Sequence, residues 1–292
     1  MPIILFITYY TQILPLTSLA CHHIIGSGKS ASVQEMTNIL EKRGWRKLCC
    51  KFDRVNPQPL SCIASAFDRF FAQLLARSEG NSTDLAQDNS NELQEIQRYI
   101  RKSFDEESTR ILRQLIPNMN SLISDEVSLC EDSENGTCFD SSDAVASKCR
   151  LHHLFGLLLK AISQRKPVLL FLDDLHWACE DSLDLLVALI RSGEEVDEDM
   201  ISQDSDSALD SDCVSCGVLF VGTFRTNEAA THSFSLSLDL VKSLSNVSFT
   251  EIPLNGLSRH NINVMVSESL CYPQRLSRNL SDLIHEKSAG NP

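Results

Sequence analysis

Residues 168–177 constrain the fold of this chain more than any other segment. They read Val-Leu-Leu-Phe-Leu-Asp-Asp-Leu-His-Trp, so five apolar residues run directly into two carboxylates. An uninterrupted apolar run of this length is typical of a parallel strand that is buried on both faces. The run places Asp173 at the carboxyl end of the strand, where a carboxylate can hold Mg²⁺, usually through water, while Asp174 orients an attacking water. The alternative is a plain buried strand followed by an acidic helix cap.

An upstream glycine-rich segment favours the first of these alternatives. It reads Gly26, Ser27, Gly28, Lys29 and Ser30, and a predicted helix follows it. Glycines let backbone N–H groups close around phosphate oxygens, and the helix N-terminus adds partial positive charge. In such a loop Lys29 would reach the β- and γ-phosphates, and the Ser30 hydroxyl would ligate Mg²⁺. The two segments together predict a P-loop nucleotide-binding fold with ATP and Mg²⁺ as its ligands.

One position departs from the full phosphate-loop pattern, which is G-x-x-x-x-G-K-[ST]. His23 stands where that pattern has its first glycine. A side chain at this position would crowd a tight turn that glycine makes without strain. Two interpretations stay open: the loop binds nucleotide more weakly, or the residues before it are not the natural lead-in to the loop.

The order of strand and helix patterns predicts the architecture. Strands and helices alternate, which indicates an α/β fold with a parallel sheet covered by helices on both faces. The predicted P-loop core spans residues 23–256, with acidic, serine-rich insertions near 124–147 and 193–212. Residues 257–292 are predicted to form the start of a helical lid.

Two helix boundaries can be predicted from local signals. Glu92–Ile116 is predicted as one helix, because Pro117 ends the helical pattern. In the lid, Ser258 is predicted to cap a helix that extends to Leu270, because a serine side chain can accept from the free N–H groups of a first helical turn.

The apolar segment at residues 1–22 contains no Asp, Glu, Lys or Arg. A signal peptide is disfavoured because no basic region begins it. A membrane span is disfavoured by Pro15 and by several polar residues. We expect the first core strand within Leu14–Ile25, and the first dozen residues have no predicted role. Membrane association stays open as an alternative to a cytoplasmic location.

Charge and cysteine usage exclude other classes of protein. The net charge of −13 argues against nucleic-acid binding, which needs a basic face. Eleven cysteines are scattered, and the C-x-x-C at Cys213 and Cys216 lacks a second pair at zinc-ribbon spacing. We therefore expect free thiols, as in a reducing compartment such as the cytoplasm.

The chain resembles the AAA-type ATPase module of the signal-transduction ATPases with numerous domains, also described as origin-recognition-complex-like AAA domains. Segments similar to that family's phosphate loop, second strand, carboxylate strand, sensor-1 strand and lid motif occur in order: Ile25–Glu35, Lys51–Asp53, Phe171–Leu183, Val221–Glu228 and Gly290–Pro292. The resemblance extends from about residue 23 to Pro292. It implies a regulatory ATPase in which ATP binding and slow hydrolysis move a lid that controls attached domains.

The resemblance also implies roles for particular residues. Pro292 would pack near the adenine, and Arg225 would sense the γ-phosphate unless it is an ordinary surface arginine. Partners would be other proteins or fused signalling domains of the kinase or cyclase type, and a homo-oligomer is an option. The family's lid continues past the point that corresponds to Pro292, so we expect an incomplete lid. The alternative function is a scaffold that keeps the fold and has lost nucleotide binding through His23.

Overall fold

A computed structural model describes residues 2–9, 29–54, 59–78, 84–123, 141–192, 217–225, 232–245, 247–253 and 256–290 of the chain. Three predicted features lie outside these residues: the strand expected within Leu14–Ile25, the loop glycines Gly26 and Gly28, and the insertion at 193–212. Cys213, Cys216 and Pro292 lie outside them too.

Five strands form one sheet in the described part of the chain: Pro2–Tyr9 (β1), Arg46–Lys51 (β2), Val168–Asp173 (β3), Val218–Arg225 (β4) and Val247–Pro253 (β5). Their order across the sheet is β2-β3-β4-β1-β5. β2, β3 and β4 are parallel. β1 is antiparallel to both β4 and β5, so β5 runs in the same direction as β4.

Ten α-helices accompany the sheet in the same described ranges: Lys29–Lys42 (α1), Ser61–Ser78 (α2), Asp84–Ser103 (α3), Glu106–Leu115 (α4), Met119–Leu122 (α5), Ser141–Ser163 (α6), Glu180–Ser192 (α7), His232–Lys242 (α8), Arg259–Leu270 (α9) and Gln274–Ser288 (α10). α6 begins inside the segment 124–147 that is predicted as an acidic insertion, and residues 124–140 lie outside the described residues.

Helices cover both faces of the sheet, as predicted. One face carries α1 through a small buried cluster: Val33, Met36, Leu40, Leu169, Phe171, Leu219 and Val221. The other face carries α2, α3, α6 and α7 through a larger core that includes Leu170, Leu172 and Phe220. Because side chains alternate along a strand, the odd-numbered residues of β3 and β4 face α1. The α/β class with helices on both faces is therefore confirmed.

A strand at the start of the chain was not predicted, and the strand expected within Leu14–Ile25 lies outside the described residues. The structure puts Pro2–Tyr9 between β4 and β5, whereas no role is predicted for the first dozen residues. The physical reason is composition, because residues 2–9 are mostly β-branched, aromatic or aliphatic and suit a central strand. The predicted parallel sheet is confirmed for β2, β3 and β4, and β1 joins it as an antiparallel strand.

The helix predicted over Glu92–Ile116 is two helices. α3 ends at Ser103 and α4 begins at Glu106. Asp105 separates them because its side chain accepts from the N–H of Ser108 at 2.9 Å, which caps α4. The predicted helix is therefore divided at Asp105, which caps the second of the two helices.

α9 and α10 form a helical hairpin at the end of the described chain. The predicted cap is present, because the Ser258 hydroxyl accepts from the N–H of Asn261 at 3.1 Å. The residues before α9 and after α10 are in contact, because the N–H of Leu257 donates to the carbonyl of Gly290 at 2.7 Å. None of the described helices is both long enough and apolar enough to cross a membrane.

Candidate functional site

Asp173 ends β3 at the carboxyl edge of the sheet, and only 7% of its surface is exposed. Its Oδ1 accepts a hydrogen bond from the Thr223 hydroxyl at 2.7 Å. Thr223 lies on the neighbouring parallel strand, one residue beyond the register pair Leu172 and Gly222. A buried carboxylate needs such a partner, so the side chain of Asp173 is held in a defined position.

Asp174 begins the turn that follows β3, with a left-handed backbone at φ 55° and ψ 44°. This region is uncommon for residues other than glycine, although aspartate and asparagine adopt it more readily than most. The N–H of Asp174 donates to the Thr223 hydroxyl at 3.1 Å. Its carbonyl accepts from the N–H of Trp177 at 2.9 Å, which closes a short 3₁₀ helix, Leu175–Trp177.

Thr223 therefore joins the two carboxylate residues through one fully buried hydroxyl group. It donates to Asp173 and accepts from Asp174. Sequence analysis did not single out this residue, although it lies within the Val221–Glu228 segment. The signal was present, because Thr223 is a polar residue within a strand that is otherwise apolar up to Arg225.

The orientation of α1 brings the start of that helix to the same edge. α1 ends at Lys42, and a short turn leads to Arg46, which pairs with the first residue of β3. α1 has 14 residues and spans about 21 Å, close to the length of the strands. Its N-terminus, Lys29, therefore lies toward the carboxyl edge, on the face to which Asp173 and Thr223 point.

The N-terminus of α1 has the polarity that an anion needs. The structure describes the backbone of Lys29 and Ser30 as the first two residues of α1, and the first turn contains no acidic residue. The partial positive charge of this helix end is therefore not offset locally. Gly26, Ser27 and Gly28, predicted to complete the phosphate loop, lie outside the described residues.

Arg225 is the exposed last residue of β4. It is two residues beyond Thr223, so alternation places both side chains on the face that α1 covers. In the register of the sheet it lies opposite Pro2 of β1. Arg225 thus lies at the same edge as Asp173.

The direction of β1 affects the site. Its first residues lie at the carboxyl edge, where Ile3 pairs with Pro253, and its last residue, Tyr9, pairs with Val247 at the amino edge. Tyr9 lies at the amino edge and Lys29 lies toward the carboxyl edge. The two residues on either side of residues 10–28 are thus at opposite edges of the sheet. β1, which lies between β4 and β5, therefore ends at the edge opposite the start of α1 and does not lead directly into the predicted phosphate loop.

The donor groups at this edge suit Mg²⁺. Mg²⁺ is usually bound by one or two protein oxygens together with phosphate oxygens and water. The Asp173 carboxylate and the hydroxyl of Ser30 would be such a pair, and Asp173 is already buried and oriented by Thr223. Within the described ranges, no group of three or more His, Cys, Asp or Glu side chains could hold a metal by itself.

These features are those of an α/β protein with a P-loop type of sheet. A family model for the AAA ATPase domain matches residues 24–201, which is more than half of the chain. The chain belongs to the AAA ATPase domain family. No curated protein and no solved structure was found to match it. The matched range includes Asp173 and Asp174, whereas Thr223 and Arg225 follow it.

Proposed function

We propose that this chain is a regulatory ATPase module that binds ATP with Mg²⁺, hydrolyses it slowly and signals the bound nucleotide to other proteins. Membership of the AAA ATPase domain family supports nucleotide binding. The observation that carries the proposal is the hydrogen-bonded group Asp173, Thr223 and Asp174, on the sheet face covered by the helix that begins at Lys29.

The proposed chemistry is positioning and electrostatic stabilisation. Lys29 and the loop amides of Gly26, Ser27 and Gly28 neutralise the phosphates. Ser30 and Asp173 hold Mg²⁺, which when bound offsets the negative charge of the β- and γ-phosphate oxygens.

Asp174 orients the attacking water, and Arg225 contacts the γ-phosphate. An aspartate reaches less far than the glutamate found at this position in many AAA enzymes, which favours slow hydrolysis and a long-lived ATP state.

The lid hairpin is the proposed output. Pro292, two residues after Gly290 in the sequence, would contact the adenine as the family resemblance implies. Gly290 is the last described residue, and its carbonyl accepts from the N–H of Leu257. Nucleotide would therefore alter the hairpin, and protein partners or fused signalling domains would detect the change. The charge of −13 disfavours nucleic acid as the partner. A cytoplasmic location and a homo-oligomer remain parts of this proposal.

The first test compares ATP binding by the native chain and by Lys29→Ala, with Lys42→Ala as the matched control in the last turn of the same helix. We expect saturable Mg²⁺-dependent binding by the native chain and Lys42→Ala, and loss of binding in Lys29→Ala. Equal affinity in all three proteins would contradict the proposal.

Hydrolysis has its own test in Asp174→Asn. Asparagine also tolerates the left-handed backbone at this position, so the turn is kept while the carboxylate is removed. We expect ATP affinity to be retained and turnover to fall by about 10²–10⁴-fold, the usual contribution of a positioned acid–base group. Unchanged turnover would remove Asp174 from the mechanism.

The direction of β1 favours a second candidate, a nucleotide-independent scaffold. A central strand that does not lead into the phosphate loop, together with His23 in the place of a glycine, would fit a fold that no longer binds ATP. His23→Gly distinguishes the two functions. A native chain that fails to bind ATP while His23→Gly binds it would favour the scaffold, whereas binding by both would exclude it.

A further inference from the structure

Two thiols, those of Cys50 and Cys62, lie near the carboxyl edge of the sheet. Cys50 lies in β2 and is 1% exposed, and Cys62 is the second residue of α2. Cys62 is half-buried and packs against the core cluster that contains Cys50. The adjacent Cys49 belongs to the opposite face of β2, where it packs against the α1 cluster.

The Cys62 sulfur lies next to the residue that follows Cys50 in β2. The Cys62 thiol lies 3.0 Å from the carbonyl oxygen of Lys51, the residue that follows Cys50. Cys50 belongs to the core cluster against which Cys62 packs, so both side chains lie on the same face of β2. A disulfide between them requires the sulfurs to approach to about 2.05 Å.

The two thiols differ in access and in acidity. Hydrogen bonding to Cys50 lowers the pKa of Cys62, whereas hydrogen bonding to Cys62, together with burial, raises the pKa of Cys50 well above its usual value. The Arg69 guanidinium favours the thiolate at both. Cys62 also lines a cavity of about 550 Å³, whereas Cys50 is buried and is not one of the residues that line it. A solvent-accessible thiol of lowered pKa next to a second cysteine is the usual arrangement of a redox-sensitive pair.

We propose that Cys62 and Cys50 are a reversible disulfide site that responds to a hydroperoxide entering this cavity. The Cys62 thiolate attacks one peroxide oxygen, the O–O bond breaks, and the leaving oxygen takes a proton to become water or an alcohol. The resulting sulfenic acid at Cys62 is attacked by the Cys50 sulfur. The S–S bond forms, the S–O bond breaks, and water leaves with the Cys50 proton. Two thiols are oxidised by two electrons, and one peroxide is reduced.

The position of this pair connects it to the candidate nucleotide site. Lys51 pairs with Asp173 in the sheet, and the N–H of Phe52 donates to the Asp173 carbonyl at 3.0 Å. A bond between Cys50 and Cys62 would fix α2 to the end of the strand that supports Asp173. The disulfide itself does not depend on nucleotide binding, so its test stands apart from that of the proposed function.

The test is peptide mapping of the full chain after treatment with hydrogen peroxide. Trypsin is expected to release Leu48–Lys51 and Val55–Arg69, and Cys62 is the single cysteine of the second peptide. We expect the two peptides joined, with the mass of one disulfide, and separated again by a thiol reductant. Fragmentation of the joined pair in the native protein should assign the bond to Cys50 rather than Cys49.

Matched variants sharpen the result. Cys49→Ser should retain the joined peptides, whereas Cys50→Ser and Cys62→Ser should lose them. Cys179→Ser should retain them too, because Cys179 lines the same cavity but contacts Ser182 instead of a thiol. A native chain in which Cys62 is oxidised to sulfinic acid without joined peptides would overturn the proposal. A bond assigned to Cys49 would overturn it as well.

Discussion

The Thr223 hydroxyl is the smallest group on which the candidate site depends. It is fully buried, donates to Asp173 at 2.7 Å and accepts from the N–H of Asp174 at 3.1 Å. Both hydrogen bonds pair polar groups at a buried hydroxyl, where hydrogen bonding offsets the cost of desolvation. One hydroxyl therefore fixes both the carboxylate that is proposed to hold Mg²⁺ and the start of the turn that carries the carboxylate proposed to orient water.

Replacing Thr223 by valine removes this hydroxyl at nearly constant volume. We expect Thr223→Val to lower the free energy of unfolding by about 1–3 kcal/mol, because two hydrogen bonds to a buried hydroxyl are lost. We also expect weaker ATP affinity in the presence of Mg²⁺. Denaturant unfolding and equilibrium ATP binding measure the two effects. Thr223→Ser keeps the hydroxyl and should lose only about 1 kcal/mol for one methyl group. Equal losses in both variants would mean that the hydroxyl does not matter.

The position of the two carboxylates at the end of a buried strand could be predicted, whereas the sequence marks Thr223 only as a polar residue in an apolar strand and does not show its partners. Asp173 and Asp174 follow an apolar run, and a pattern within one segment is visible in the sequence. The role of Thr223 depends on which strand lies beside β3 and in which register. That information is tertiary, because 50 residues separate Thr223 from its partner Asp173 along the chain.

At the scale of elements, the lid hairpin is closed by a glycine that no other residue can replace without strain. Gly290 has φ +81°, and a Cβ placed there would lie 2.8 Å from the carbonyl oxygen of Leu257. Both the backbone angle and the close approach therefore require glycine. Gly44, between α1 and β2, has a similar φ of +87°, but a Cβ atom at this position would meet no other atom within 4 Å.

The two glycines form a matched pair for experiment. Gly44→Ala carries only the cost of a left-handed backbone, about 1–2 kcal/mol. Gly290→Ala carries that cost and a clash with backbone, so we expect it to loosen the contact between α10 and Leu257. Hydrogen exchange at Leu257 should become faster in Gly290→Ala and stay unchanged in Gly44→Ala. Unchanged exchange in both variants would show that the contact does not close the hairpin.

Local signals predicted some element boundaries and missed others. Ser258 was correctly predicted as a cap, because the capping side chain and the helix it begins are neighbours in sequence. The break at Asp105 was missed because an aspartate in a helical pattern can be either a surface residue or a cap. The packing of α3 and α4 decides between these roles, and sequence periodicity does not contain it.

At the scale of the whole molecule, β1 is the strand that sequence analysis did not foresee. Its residues pair with β4 on one side and β5 on the other, so it completes the sheet. Four strands run one way and β1 runs the other. An apolar segment indicates a buried strand. Its direction depends on how it pairs with the neighbouring strands, and the sequence of the segment does not specify that pairing.

Leu5→Pro tests whether β1 holds this central position. A proline has no N–H and cannot complete a ladder with neighbours on both sides. We expect a lower melting temperature than in Leu5→Ala, which shortens the side chain but keeps the N–H. Leaving one buried carbonyl unpaired costs about 1–3 kcal/mol, a shift of several degrees for a chain of this size. Equal melting temperatures would mean that β1 is not in the sheet centre.

The central claim is that Asp173 anchors Mg²⁺ for ATP at the carboxyl edge of the sheet. Its most direct test is the dependence of ATP affinity on Mg²⁺ concentration in the native chain, Asp173→Asn and Asp174→Asn. Asparagine can still accept the Thr223 hydrogen bond, so the site keeps its shape. We predict that Mg²⁺ tightens ATP binding in the native chain and in Asp174→Asn but has little effect in Asp173→Asn. The same Mg²⁺ dependence in all three proteins would contradict the account.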